Sequence, residues 1–198
     1  DVGELTRGLD GGTFLMREIA MKRFGTHGSS QIPLQALLEI REKHPFKADD
    51  VASIHIAAAP EAVERHDNLT PTDLMQAQYS VPFCIALACV RDVRDPRSFD
   101  ESALTDPAIR AAIRRVHYEA DAGISDKRTY RTTVTLNDGA VLKLTLPDPG
   151  VAWRGANRDE TYEKYSILMR DCPKPKADEI FDRVQDLDRQ ENVDWIKL

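Results

Sequence analysis

The sequence predicts an α+β fold: a two-layer α/β unit with a mainly antiparallel sheet over residues 13–150, followed by C-terminal helices. Three observations carry that prediction. The stretch "RTYRTTVTLNDGAVLKLTLPDP" alternates Tyr130, Thr132, Val134 and Leu136, turns at "NDG", and continues with Val141, Leu142, Leu144 and Leu146, the pattern of a β-hairpin. The stretch "LMQAQYSVPFCIALACVRD" is apolar around almost its whole circumference after Tyr79, as a helix in the middle of a core must be. Beyond "DPGVAWRGAN" the character changes to "RDETYEKYSILMRDC" and "KADEIFDRVQDLDRQ", amphipathic helices polar on one face.

The remaining elements follow in chain order. Residues 1–12 hold four glycines and little apolar periodicity, and read as a connector. "TFLMREIAMKRF" reads as a strand or an extended segment. "QIPLQALLEIREKH" sets Ile32, Leu34, Leu37, Leu38 and Ile40 on one side at helical spacing, with Ser29 or Ser30 as N-cap, Pro33 in the first turn and Pro45 as the stop. "VASIHIAA" is a β-branched strand closed by Pro60. Pro82 is expected in or near the first turn of the buried helix. "TDPAIRAAIRRV" is a short helix begun by Thr105 or Asp106 with Pro107 at its first position, and "VHYEAD" is a strand.

Composition narrows the function classes. No segment has the apolar length to cross a bilayer, and a net charge of −6, with 27 basic and 33 acidic residues spread along the chain, argues against a nucleic-acid surface. Cys84, Cys89 and Cys172 form neither a disulfide framework nor a metal-ligand spacing, so a reducing cytoplasm and no metal are expected. The abrupt "DVGELTRGLDGG" suggests part of a longer protein.

The residues that carry chemistry lie in "MKRFGTHGSSQ", residues 21–31. Lys22 and His27 are five apart, a separation that neither a helix nor a strand brings to one face, but a turn through Gly25 and Gly28 does. The segment then enters a helix N-terminus, where free amides and the helix dipole favour a carboxylate or phosphate. Lys22, His27, the hydroxyls of Ser29 and Ser30 and the free amides together suit a polycarboxylate, with His27 and Lys22 able to move protons. The same pattern also fits a solvated loop in which His27 merely caps a turn. His55 and His117 read as sheet residues and His66 as a loop residue. Gln76, Gln78, Tyr79 and Ser80 read as capping and core hydrogen-bonding groups, and Trp153 and Arg154 as an anchor for the C-terminal helices.

In order, "MKRFGTHGSSQIPLQALLEI", "ADDVASIHI", "MQAQYSVPFCIALAC", the "LNDG" hairpin and "WRGANRDETYEKYSIL" resemble the C-terminal half of the MmgE/PrpD family, which includes 2-methylcitrate dehydratase, cis-aconitate decarboxylase and iminodisuccinate epimerase. The resemblance implies a cytoplasmic, dimeric, cofactor-independent lyase or isomerase of propionate-type metabolism. Its N-terminal helical domain would lie upstream, its α+β lid at 13–150, and 151–198 would return to the helical domain. It implies Lys22 and His27 as catalytic residues, with Arg23, Ser29, Ser30 and Gln31 around a di- or tricarboxylic substrate. One departure is Gly25, where similar members carry proline. The competing expectation is a non-catalytic α+β module that binds an acidic metabolite or a protein partner through the same loop.

Overall fold

The sheet is ordered β2-β1-β3-β4 in a computed structural model that describes residues 21–126, 128–146 and 157–196. β1 (Val51–Ala58) is central, paired parallel to β2 (Val116–Ala120) and antiparallel to β3 (Tyr130–Leu136), which continues antiparallel into β4 (Val141–Leu146). Two of three pairings are antiparallel, so the chain is an α+β protein with a mainly antiparallel sheet. The hairpin turns where expected: Leu136 N–H bonds to the Ala140 carbonyl at 2.9 Å, and Gly139 takes φ 89°, open to glycine without steric cost. The calls on residues 1–12, on the first part of "TFLMREIAMKRF" and on Trp153 and Arg154 lie outside the described residues.

Alternation in the strands explains the two layers. Ile54, Ile56 and Ala58 of β1, Val116 and Tyr118 of β2, and Tyr130, Thr132 and Val134 of β3 face one side and are buried. Helices cover that side. α1 (Gly28–Lys43) packs on β3 and β4 through Leu34, Leu37 and Ile40. The chain between β1 and β2 supplies short helices α2 (Pro60–Val63) and α3 (Leu74–Tyr79), then α4 (Val81–Val90), α5 (Glu101–Thr105) and α6 (Pro107–Ile113). α4 lies between α1 and α6 with every residue from Val81 to Ala88 buried, as its all-round apolarity requires. The opposite face carries His55, His117, Arg131 and Lys143 in the open, with His55 and His117 cross-strand neighbours whose rings stack at 4.4 Å.

The buried helix begins at Val81, with a separate helix before it, because Ser80 turns extended (φ −83°, ψ 114°), closing α3 and capping α4 by accepting from Phe83 N–H at 3.0 Å. Pro82 then falls in the first turn of α4, where its missing N–H costs nothing. Pro60 does not simply end β1 but opens α2.

The C-terminal stretch folds as α7 (Arg158–Leu168) and α8 (Lys174–Gln185). α7 opens with a reciprocal capping box in which Asn157 and Glu160 satisfy each other's backbone N–H groups. Tyr162, Tyr165 and Phe181 pack between the two helices, with Tyr162 edge-on to Phe181 at 5.0 Å. The pair meets the α/β unit through charge: Arg94 with Glu163 at 3.3 Å, Arg97 with Asp171, and Arg170 with Asp95. Asp95 is buried, and although burial alone would raise its pKa, the Arg97 amide and guanidinium and the Arg170 charge hold it below the usual carboxylate range.

Candidate functional site

The site is organised by the helix break at Ser80. A helix that ends leaves its last carbonyls without intrahelical partners. At the end of α3 the Gln78 carbonyl accepts from His27 N–H at 2.9 Å, and the Tyr79 carbonyl lies 3.1 Å from His66 Nδ1. Val81 N–H returns a bond to the His66 carbonyl at 2.9 Å. Two loops that are 39 positions apart in sequence are thereby pinned to one corner. Their imidazoles stack with centroids 4.4 Å apart and 28° between planes, and His27 also lies 4.4 Å from the half-exposed Tyr79 ring.

The hydrogen bonds assign complementary tautomers. A carbonyl oxygen can only accept, so His66 Nδ1 carries the proton and Nε2 carries the lone pair. His27 Nδ1 accepts from Ser29 N–H at 3.3 Å, with Ser29 Oγ 3.0 Å away, so its proton sits on Nε2. Neither Nε2 has a hydrogen-bond partner among the described residues, and the corner therefore offers one donor and one acceptor side by side. Burial, then the His66 ring, then the Lys22 ammonium lower the His27 pKa, which keeps that ring neutral at physiological pH.

This arrangement revises the expected cap. His27, not Ser29 or Ser30, is the N-cap of α1: its extended backbone (φ −62°, ψ 159°) lets the ring accept from Ser29 N–H while its carbonyl accepts from Ser30 N–H at 3.2 Å. Those two amides are consequently spoken for, and the start of α1 acts on the imidazole rather than directly on an anion. Gly25 and Gly28 do not use positive φ, which among the described residues occurs only at Gly139. Gly25 instead passes so close to Pro96 that an added Cβ would lie 3.3 Å from the proline Cβ.

The six residues singled out in the sequence divide into two groups. Lys22 is exposed, and His27 and Ser29 are half-exposed at the corner. Gln31 is a buried strut: its Oε1 accepts from Arg23 and Phe24 N–H at 3.0 and 3.1 Å, and its Nε2 donates to the Phe24 carbonyl and to Thr26 Oγ1 at 3.1 and 2.8 Å. Ser30 is buried in the core beside the Cys84 thiol, whose pKa burial pushes up to about 12. The Arg23 guanidinium donates to Gln35 Oε1 at 2.7 Å and lies 3.9 Å from Glu160. Sequence reasoning passed over His66 and assigned Tyr79 to capping and core bonding. No spacing rule links either to His27, although "HDNLTP" running into the Asp73-capped α3 is a local signal that this loop is tied to a helix start.

Leu69, Met75 and Tyr79 leave apolar surface in the open on the neighbouring loop and helix α3. No group of three metal-ligating side chains occurs among the described residues. No described helix is long and apolar enough to cross a membrane. A cleft of about 340 Å³ between the C-terminal end of α1 and β4, lined by Ile40, His44, Val141 and Leu144, lies at the other end of α1 from the histidines. Comparison with curated proteins gives no match. A protein-family comparison matches the MmgE/PrpD C-terminal domain over residues 24–188, so the chain belongs to the MmgE/PrpD family.

Proposed function

We propose that the His27–His66 corner, with Lys22, is the part contributed by this chain to the active site of a cofactor-independent lyase or isomerase acting on a di- or tricarboxylic acid, of the 2-methylcitrate dehydratase type. The observation that carries the reading is the pair of stacked imidazoles held in opposite tautomers, with a lysine whose charge is felt by one of them. A carbon acid next to a carboxylate needs a base for its proton and donors for the charge that develops on the carboxylate oxygens. His66 Nε2 supplies the lone pair and becomes the imidazolium as the C–H pair moves into the enolate-like system. The His27 Nε2–H donates to the developing oxyanion, and the Lys22 ammonium offsets its charge. Expulsion of a β-hydroxyl as water, or return of the proton to the opposite face, are alternative fates of that one intermediate, and each consumes the electron pair released by the C–H bond. The exposed apolar rim at Leu69, Met75 and Tyr79 suits coverage by a further domain that closes the site.

Titration with citrate, cis-aconitate and 2-methylcitrate, followed by amide and imidazole ¹⁵N chemical shifts, tests the reading. The expected outcome is shifts centred on Lys22, His27, Ser29 and His66 that vanish in a Lys22→Ala His27→Ala double variant. Shifts scattered over the surface, or unchanged in the double variant, would remove the corner as a carboxylate site.

A further inference from the structure

Lys164 does not follow the pattern of its neighbours on α7. Arg158 pairs with Asp182, Glu160 approaches Arg23 and Glu163 pairs with Arg94. Lys164 has no carboxylate partner among the described residues. It is half-buried, burial lowers its pKa, and its ammonium donates to the backbone carbonyl of Lys22. Burying a cation against a neutral carbonyl rather than a carboxylate is unfavourable on its own account, so general stability does not explain its placement. Its bond falls where the 21–27 loop meets the C-terminal helices, one turn after Glu160 approaches Arg23.

We infer that Lys164 is a positioning residue for the histidine corner, acting through the Lys22 carbonyl from a helix 142 positions away in sequence. The loop is held from two sides. Gln31 grips Arg23, Phe24 and Thr26 from the core, and α7 grips Lys22 from outside through Lys164, with Glu160 one turn earlier against Arg23. Fixing the Lys22 backbone fixes where its ammonium stands relative to His27, whose basicity that ammonium depresses. α7 is itself registered on residues 94–97 by Arg94, Asp95 and Arg97, so a shift of the C-terminal helices is transmitted to the charge beside the imidazoles. The inference rests on the proposed role of the corner, but its readout needs no substrate.

The test compares the 198-residue chain with Lys164→Met, which keeps the aliphatic stem and loses the donor, and Lys164→Arg, which restores a donor. The ¹⁵N shifts and titration midpoint of His27 and the amide shifts of residues 22–27 are recorded in free protein. Expected for Lys164→Met are displaced loop resonances and a His27 midpoint that rises toward the ordinary histidine value, with both returning toward wild type in Lys164→Arg. A lower melting temperature with His27 and the loop unmoved, a Lys164→Arg chain indistinguishable from Lys164→Met, or failure of Lys164→Met to fold would each assign Lys164 a general structural role and overturn the inference. A carboxylate titration that fails while Lys164→Met still moves His27 would sink the functional reading and leave this coupling standing.

Discussion

The α/β unit and the C-terminal helix pair are joined by different physics. Inside the unit, α4 is sealed by Phe83, Ile85 and Leu87 against α1 and α6, with these side chains fully buried. Between the unit and the C-terminal pair, the described polar contacts are Arg94, Arg97 and Arg170 meeting Glu163, Asp171 and Asp95, Arg97 on the Ile167 carbonyl at 3.1 Å, Glu160 near Arg23, and Lys164 on the Lys22 carbonyl. Apolar burial is insensitive to salt and directionless, whereas exposed ion pairs are screened and individually weak. The difference teaches that the unit is the rigid body and the C-terminal pair an adjustable one. The histidine corner, gripped by Gln31 on one side and Lys164 on the other, lies on the seam.

The largest expected effect belongs to the sealed side. Leu87→Ala removes a fully buried side chain from α4 and is expected to cost about 3 kcal/mol, read as a lower denaturation midpoint of the whole unit. Phe181→Ala removes a comparable buried side chain from between α7 and α8, but hydrogen exchange should quicken in those helices and leave β1 amides protected. Equal loss of protection in both regions would break the comparison. At the seam, Asp95→Asn removes the charge that faces Arg97 and Arg170 and turns one of the two buried acceptor oxygens into an amide donor, and should speed exchange of α7 amides roughly tenfold, as loss of one charged hydrogen bond does. Half-molar salt should move wild-type α7 in the same direction and leave the α4 variant's deficit unchanged.

How much of this was legible depends on whether the signal was local. The hairpin, β1, β2, the all-apolar α4 and the Asp106–Pro107 start of α6 were readable because alternation, circumference and capping are properties of short windows. The reciprocal cap of Asn157 and Glu160 was equally local and was not read. The break at Ser80 was half visible: Pro82 signalled a first turn, but an apolar run on both sides hid the chain reversal. In the candidate site, Lys22 and His27 were singled out from a turn through Gly25 and Gly28, neither of which takes positive φ, and Gln31, placed in the expected helix, serves the loop before it. His66 could not be found, because its contact with His27 is made through carbonyls that only a helix end exposes.

A smaller effect is expected at the far end of the sheet. Gly139 holds φ 89° with no atom within 4 Å of an added Cβ, so Gly139→Ala tests backbone strain without a steric clash. A cost of about 1 kcal/mol follows from forcing an L-residue into that region. It should appear as a global loss of stability, because the hairpin belongs to the sealed unit, and α7 exchange relative to β1 should be unchanged.

The smallest effect is the most informative about the seam. His27 has its folded-state pKa lowered by burial, by His66 and by Lys22. The neutral ring is therefore the form the fold prefers, and the stability it contributes is fully present above the unfolded value of 6.5. As pH falls below 6.5 the unfolded chain takes up the proton first, and that contribution is lost until the folded-state pKa is passed. His27→Gln keeps an acceptor near Ser29 N–H but cannot titrate, so its stability curve should be flatter than that of wild type between pH 6.5 and the folded-state midpoint. Lys22→Met should narrow the same window from the other side, since removing the cation lets His27 protonate at higher pH. Identical pH profiles for wild type and Lys22→Met would mean that the ammonium does not sense the imidazole, and the corner would then be two stacked rings without the charge that the proposed chemistry requires.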